Sequence, residues 1–404
     1  MKVINVVGMG YIGLPTAYMM AKQGFTVIGT DIDKDLVQKL NDGTVITDEP
    51  GLSELIVDVN HNGDISFSSF CASADIYIVA VPTPFVRSTK RIDSEYLVKA
   101  IKSIIDVCSE NAIIAIESTI SPGTIDRDVR PLLPAKKNIH LAHVPERIIP
   151  GRIIHELVEN NRTIGADDSY IAEIIEEVYS SFCNGEITIT NIKTAEMTKV
   201  VENAYRDVNI AFANELTKIC EAASMDVYEV IDIANKHPRV NILSPGPGVG
   251  GHCISVDPWF LVGEYPGLAN LILTARRIND SMPEYVLSKM DIIMERNGIH
   301  SLSKVGFYGI AYKENVSDIR ESPTLQLIYS MKKHLAKGAL FYDPYISYKV
   351  VDGQVFDFDE FVSKVDLIVV MVGHHQIISQ QKKLSDKIVY DTRNVLQEIK
   401  TIRL

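Results

Sequence analysis

A cysteine on a glycine-rich loop is the residue whose setting points most directly to chemistry. Gly250-Gly-His-Cys253-Ile-Ser-Val-Asp257-Pro carries a thiol behind paired glycines, with a carboxylate four residues on. Such a loop gives a substrate close backbone access to the sulfur, and a thiolate there is a nucleophile wherever a cation or helix N-terminus favours it. Cys71, Cys108, Cys183 and Cys220 stand at or beside helical or strand patterns, where cysteine behaves as a small core hydrophobe. Lys199 and Asn203, four residues apart on a helical pattern, share one face on which an ammonium and an amide can converge on an oxyanion. Spacing alone leaves a solvated surface lysine as the commoner outcome. Glu117-Ser-Thr119-Ile-Ser-Pro-Gly-Thr124 and Val144-Pro-Glu146-Arg147 each follow a strand pattern, the position at which open α/β sheets bind ligands.

A second constellation lies at the start of the chain. Gly8-Met-Gly10-Tyr-Ile-Gly13 follows an apolar strand pattern and precedes a helix pattern from Leu14 to Gln23, the context a dinucleotide-binding turn requires. Gly8 would make the tight turn, Gly10 would admit a pyrophosphate against the backbone, and Gly13 would let helix and strand pack closely. The helix N-terminus would stabilise the anion. Asp31 closes the next strand, where a carboxylate accepts hydrogen bonds from ribose hydroxyls and repels a 2′-phosphate, so the cofactor expected is NAD rather than NADP.

The elements that must hold these residues follow from periodicity. From Lys2 to about Thr190, Val/Ile-rich runs (Val3 to Val7, Thr26 to Thr30, Ile76 to Val81, Ile113 to Ile116, Ile139 to His143) alternate with amphipathic stretches, the pattern of a parallel sheet flanked by helices. From about Ile192 to His237 apolar residues recur at helical spacing with almost no Gly or Pro, which predicts a long central helix. Ser244-Pro-Gly-Pro-Gly-Val-Gly-Gly251 interrupts the helical region as an ordered or functional loop, and more helix follows to about Asn297. Lys304 to Gly309, Ala339 to Tyr342, Leu367 to Val372 and Ile388 to Tyr390 then return to buried strands. The expected fold class is α/β, with two Rossmann-like doubly wound domains (1-190 and 298-404) joined by a central helical domain (191-297) with a long helix. Ala74 to Pro82 and Val365 to Gly373 also resemble each other, as a duplication or as two buried strands of similar composition.

Composition sets the outer bounds. At 404 residues there is room for two or three domains, and 46% hydrophobic with 23% charged residues is ordinary for a soluble globular chain. No apolar run approaches the roughly 20 residues of a membrane helix. Forty Lys and Arg against 52 Asp and Glu give a net charge of -12 without a basic tract, so nucleic acid is not an expected partner. Five scattered cysteines without a C-x-x-C pair predict neither a disulfide framework nor a zinc site, and fit a reducing compartment. His374-His375 has no companion cluster at metal spacing, so no metal is expected. The chain opens directly on a strand pattern rather than on a signal peptide, and cytoplasmic residence is the expectation.

Taken in order, Gly-Met-Gly-Tyr-Ile-Gly-Leu-Pro, Glu-Ser-Thr-Ile-Ser-Pro-Gly-Thr, Pro-Gly-Pro-Gly-Val-Gly-Gly-His-Cys and Asp318-Ile-Arg-Glu-Ser-Pro323 make the chain resemble the nucleotide-sugar 6-dehydrogenases, the family of UDP-glucose and GDP-mannose dehydrogenases, over essentially its whole length. Within that family Gly248 to Phe260 is most like the branch acting on UDP-N-acetyl-D-mannosamine. Pro150 stands where the UDP-glucose branch has a second glutamate. The resemblance implies oxidation of a C6 hydroxyl to a carboxylate with two NAD, through a thiohemiacetal and thioester on Cys253. It implies that Lys199 and Asn203 stabilise the oxyanions, that Asp257 helps manage a proton, and that Glu146 and Thr119 help position a water. To the cofactor contacts Gly8, Gly10, Gly13 and Asp31 it adds Tyr11, Ile12, Thr83, Thr119 and Arg320. For the substrate it implies Glu146, Arg147, Lys199, Asn203, Gly250, Lys313 and Arg239. In relatives the arginine matching Arg239 reaches the neighbouring subunit's sugar nucleotide, which implies a homodimer built on the central helix. Without the resemblance Arg239 reads as a cation facing helix-end carbonyls. The alternatives are the same chemistry on UDP-N-acetylglucosamine or UDP-glucose, and a nucleotide-sensing protein that has lost catalysis. His252 could orient the loop or simply bond to backbone.

Overall fold

Runs of β-branched and other apolar residues buried on both faces make the central strands. The computed structural model describes residues 2–45, 47, 49–86, 88–149, 151–333 and 338–404, so Pro150 lies outside the described residues. The chain forms two compact units, Met1–Glu202 and Asn203–Leu404.

The first unit is built on β1 (Val3–Val7), β2 (Thr26–Thr30), β3 (Asp64–Ser68), β4 (Ile76–Val79), a small hairpin of β5 (Phe85–Val86) and β6 (Arg91–Ile92), then β7 (Ile113–Ile116), β8 (His140–His143), β9 (Arg162–Ala166) and β10 (Ile187–Thr190). The large sheet runs β10-β9-β8-β7-β4-β1-β2-β3. Its pairings are parallel except that of β8 with β9, where Ala142 faces Ala166. Strand order therefore reverses between β1 and β4, the crevice where doubly wound sheets hold dinucleotides. β4 and β7 are buried along their whole length, because helices cover both faces. The helix Gly13–Lys22 packs Ala17, Tyr18 and Met20 into the core with Ile4, Val6 and Ile78.

Within the large sheet three strands, β3, β9 and β10, escape the sequence pattern. β3 reads Asp-Ile-Ser-Phe-Ser and β10 reads Ile-Thr-Ile-Thr, edge strands whose apolar residues alternate with polar ones. β9 carries Arg162 and Gly165 inside a fully buried strand.

The long helix spans Ile192–Ala222 rather than continuing to His237. It stops because Ser224 takes the left-handed conformation at φ 56, and Asp226 then caps a separate helix, Val227–Ala234, by accepting from the N–H groups of Tyr228 and Glu229. The second unit holds the rest of the long helix, the helices Asp257–Glu264 and Asn270–Arg296, and a parallel sheet. That sheet comprises β11 (Val305–Tyr308), β12 (Leu340–Tyr342), β13 (Leu367–Val370), β14 (Ile388–Asp391) and β15 (Ile402–Arg403), in the order β12-β11-β13-β14-β15. The chain is thus α/β, with two doubly wound sheets, the first parallel but for β9 and β10 and the second parallel throughout, and a long helix. The similar stretches Ala74 to Pro82 and Val365 to Gly373 supply β4 and β13, which occupy the same place beside the first strand of each sheet.

Candidate active site

Each glycine of the opening motif has a distinct steric reason. Gly8 sits at φ +97, and a Cβ there would lie 2.5 Å from the carbonyl oxygen of Ala80. A Cβ on Gly13 would lie 1.9 Å from the carbonyl oxygen of Gly8, so helix and turn touch only because that atom is missing. At Gly10 no atom lies within 4 Å of the Cβ position, which leaves open space against the backbone. The helix that follows has no side-chain cap, so its first N–H groups point at that space. Asp31 follows β2 immediately. Its carboxylate accepts from the backbone N–H of Met9 at 2.7 Å and of Asp33 at 2.9 Å, which fixes its direction without exhausting its lone pairs. Tyr11 is exposed, whereas Ile12 packs against the core. The turn, the open space and the fixed carboxylate fit a dinucleotide: Gly8, Gly10 and Gly13 would receive the pyrophosphate and Asp31 the adenosine ribose.

Two further loops rise from the same end of this sheet. The Thr83 hydroxyl donates to the carbonyl of Thr119 at 2.6 Å, and Ser118 donates to the carbonyl of Val81 at 2.7 Å, so the loops after β4 and β7 hold each other. The Ser-Pro-Gly-Thr turn behind Thr119 is clamped in turn by Glu196 of the long helix, whose carboxylate accepts from the N–H groups of Gly123 and Ile125.

Glu146, named from the sequence, belongs to a buried charge cluster whose members Arg162 and Tyr179 the sequence reading did not single out. Glu146 accepts from Arg162 at 2.6 Å and from the backbone N–H of Arg147 at 2.6 Å. Glu117 lies 3.9 Å from the same guanidinium and accepts from the Tyr179 hydroxyl at 3.0 Å. Burial, then the negative charge of Glu146, pushes the Glu117 carboxyl up to about 8. The sequence signal available was an arginine inside an otherwise apolar strand. Arg147 is occupied elsewhere in this unit: its guanidinium holds Glu202, the carbonyl of Asn161 and the Thr163 hydroxyl.

On the long helix Lys199 and Asn203 are both buried, not solvated. A buried ammonium is costly unless it meets an anion or a strong acceptor, which favours a ligand-facing role over a surface one. In the second unit the Asn203 amide donates to Asp257 at 2.6 Å, and both residues are buried. Asp257 opens the helix Asp257–Glu264, and its N–H donates to the carbonyl of Cys253 at 2.8 Å. Cys253 therefore sits in the turn that leads into the helix whose first residue is Asp257, itself paired with the Asn203 amide.

The glycines before it have a packing reason. A Cβ on Gly250 would meet the Glu321 carbonyl oxygen at 2.6 Å and Tyr312 at 2.8 Å, and one on Gly251 would meet the Tyr312 ring at 2.7 Å. The loop thus lies flat on the segment that carries Lys313 and Arg320, and the Gly251 N–H donates to the Arg320 carbonyl at 3.0 Å. The paired glycines serve this contact; on the Cβ side of Gly250 protein rather than open space is found. Arg320 forks onto Asp318, and against the cost of burial that bond holds the carboxyl below its ordinary range. Lys313 is partly buried and Arg239 exposed. Upstream, the Gly246 N–H donates to Asn214, which donates to Asn279, which donates to Asp207; buried Arg276 completes the set. Burial raises Asp207 to about 6 despite Arg276. Among the described residues no group of three His, Cys, Asp or Glu is arranged to hold a metal ion, and no helix is long and apolar enough to cross a membrane. Cys108, Cys183 and Cys220 are buried, and Cys71 and Cys253 partly so.

Comparison with known proteins adds an independent result. Three family models match in succession: the UDP-glucose/GDP-mannose dehydrogenase NAD binding domain over residues 1–183, the central domain over 193–281, and the UDP binding domain over 306–398. The chain is 44% identical to a UDP-N-acetyl-D-mannosamine dehydrogenase of Methanocaldococcus jannaschii, over 98% of this chain and 93% of that one. Among solved structures it is similar to the UDP-D-ManNAc dehydrogenase of Pyrococcus horikoshii, with 35% identity, a TM-score of 0.90, and 99% and 98% of the two chains covered. It is likewise similar to the UDP-N-acetyl-mannosamine dehydrogenase of Staphylococcus aureus, with 38% identity, a TM-score of 0.87, and 100% and 98% covered.

Proposed function

Because the chain belongs to the UDP-glucose/GDP-mannose dehydrogenase family, we propose that it oxidises the C6 hydroxyl of UDP-N-acetyl-D-mannosamine to the carboxylate, in two NAD-dependent steps on Cys253. The observation that carries this reading is the buried pair of Asn203 and Asp257 hydrogen-bonded at the turn of Cys253. A single-oxidation dehydrogenase would share the cofactor turn but would not need the thiol.

The balance is fixed by the chemistry. One primary alcohol, one water and two NAD give one carboxylate, two NADH and three protons. NAD, when bound, accepts a hydride in each oxidation. The chain's residues do the rest. Asp257 takes the proton as the alcohol becomes an aldehyde, directly or through a water. An aldehyde carbon is a poor hydride donor, so Cys253 adds to it and forms a thiohemiacetal, whose oxidation leaves a thioester. The oxyanions formed on the way are stabilised by the Asn203 amide and the Lys199 ammonium. Glu146, with Thr119, positions the water that hydrolyses the thioester. Gly8, Gly10, Tyr11, Ile12, Gly13, Asp31, Thr83 and Arg320 serve the cofactor, and Arg147, Gly250 and Lys313 the sugar nucleotide. Arg147 must exchange its bonds to Glu202 and Thr163 to do so.

The active form is a homodimer through the long helix. Val201, Tyr205, Phe212 and Ile219 recur at spacings of 4, 7 and 7 on it and are all exposed, between 44% and 64%. An apolar stripe of that spacing is what a second helix covers. Arg239, exposed in the turns that follow the helix Val227–Ala234, then serves the sugar nucleotide of the neighbouring subunit. Free thiols throughout fit residence in the cytoplasm. Initial rates with UDP-N-acetylmannosamine, UDP-N-acetylglucosamine and UDP-glucose at matched concentration test the substrate. The first should exceed the others by at least tenfold in kcat/KM, and a higher value for either of the others overturns the assignment. Sedimentation of Phe212→Glu should give a monomer where the native chain gives a dimer.

A further inference from the structure

The buried cluster in the first unit holds two carboxyl groups and one guanidinium, and the chemistry above uses only one of the three. We propose that Arg162, Glu117 and Tyr179 form a positioning set that holds Glu146 for the water-consuming half of the reaction. This rests on the thioester reading of Cys253.

The argument begins with charge. Glu117, Glu146, Arg162 and Tyr179 are at most 7% exposed, so two carboxylates against one guanidinium would leave a net buried charge. Geometry says which carboxyl gives way. Arg162 bonds Glu146 at 2.6 Å but stands 3.9 Å from Glu117, and its plane lies 4.8 Å from the Tyr179 ring centroid and 5.6 Å from that of Phe182. The guanidinium is therefore packed against two aromatic rings and bonded to Glu146.

Glu117 supplies the neutral member. Its Oε1 accepts from Tyr179, whereas its Oε2 is buried without a hydrogen-bond partner, as is Oγ1 of the neighbouring Thr16. The Thr16 hydroxyl can pair with Oε2 in either protonation state, so it is burial and the nearby Glu146 that favour the neutral form. Arg162 then belongs wholly to Glu146, which holds the water for attack on the thioester. If Glu117 ionises, it competes for Arg162 and Glu146 loses its orienting partner. The groups facing Glu117 are Arg162 on β9, Glu146 after β8, Tyr179 on the helix Ser169–Ser180, and Thr16 on the helix Gly13–Lys22; Cys183 faces Arg162. Within this set burial moves the Glu117 carboxyl up to about 8, and Glu117→Gln tests whether the pH dependence belongs to it.

The test reads thioester hydrolysis separately from oxidation. In the full-length enzyme with NAD and sugar nucleotide, Arg162→Gln should form two NADH per active site in a burst and then turn over about 100-fold more slowly than the native enzyme. Intact-mass measurement should show the acyl adduct accumulating on the chain. Equal loss of burst and steady state with no adduct would overturn the proposal, because a merely structural arginine slows every step. Glu117→Gln covers the case in which Arg162→Gln fails to fold. The native hydrolysis rate should fall above about pH 8, and this variant, which cannot ionise, should hold its plateau there. Identical pH profiles would overturn the proposal. Failure of the underlying reading looks different: the native enzyme would then yield one NADH per sugar, and no variant would carry an adduct.

Discussion

In both sheets the chain leaves its first strand through a glycine in the left-handed region, Gly8 and Gly309, each at φ +97. The Gly8 N–H donates to the carbonyl of Thr30 at the end of β2, and the Gly309 N–H to the carbonyl of Tyr342 at the end of β12. The next N–H, of Met9 or Ile310, donates to an aspartate just past that second strand, Asp31 or Asp343, at 2.7 Å in both cases. From there the two turns part. In the first, Gly10 opens space and Asp31 stays partly exposed. In the second, the Ala311 N–H also goes to Asp343, which is 3% exposed and bonded to the buried His374. The donors that could meet a phosphate are used up inside the protein. One backbone device thus makes an open cofactor turn in one place and a closed structural one in the other, and the residues that decide are Gly10 against Ala311 and an exposed against a buried aspartate.

The largest effect expected from this difference is on stability alone. Asp343→Ala strips acceptors from the N–H groups of Ile310, Ala311 and Tyr345 and from His374, and should cost about 3–5 kcal/mol in denaturant unfolding with no change in NAD affinity. A loss of NAD binding in the folded variant would mean the second turn is not closed. Gly10→Ala meets no protein atom, so the melting temperature should hold while NAD binding by calorimetry weakens on the order of 100-fold. A smaller change follows Asp31→Ala, which should narrow the preference for NAD over NADP by about tenfold, read as the ratio of kcat/KM values.

The smallest effect concerns pH. His143, at the end of β8, is buried and donates from Nδ1 to the carbonyl of Ile116; burial lowers it to about 4. The unfolded chain takes up a proton below about 6.5 and the folded one does not. His143 therefore contributes stability that is present above pH 6.5 and lost as pH falls toward 4, at about 1 kcal/mol per pH unit. His143→Gln should flatten that slope between pH 6 and 5 in thermal melts. An unchanged slope would assign the acid sensitivity elsewhere.

How far the sequence carries is visible in the same places. The Gly8, Gly10, Gly13 and Asp31 turn is legible because steric need fixes residue type at short range. The central strands are legible because they are apolar throughout. β15, only two residues long, is too short for any period to show, and β9 hides behind Arg162, a charge whose partners are 16 and 45 residues away in sequence. The end of the long helix at Ala222 is a backbone event at Ser224, with no Gly or Pro to announce it. The loop glycines at 250 and 251 are visible, but their partner Tyr312 is some 60 residues on, so the packing reason for them is not.

The central claim is a four-electron oxidation on Cys253, and the most direct test counts NADH formed per UDP-N-acetylmannosamine consumed, with the product identified. Two NADH and the uronate are the predicted result, together with loss of acid formation in Cys253→Ser, whose alkoxide is far scarcer at neutral pH than a thiolate. One NADH per sugar with an aldehyde released, or undiminished acid formation by Cys253→Ser, would contradict it.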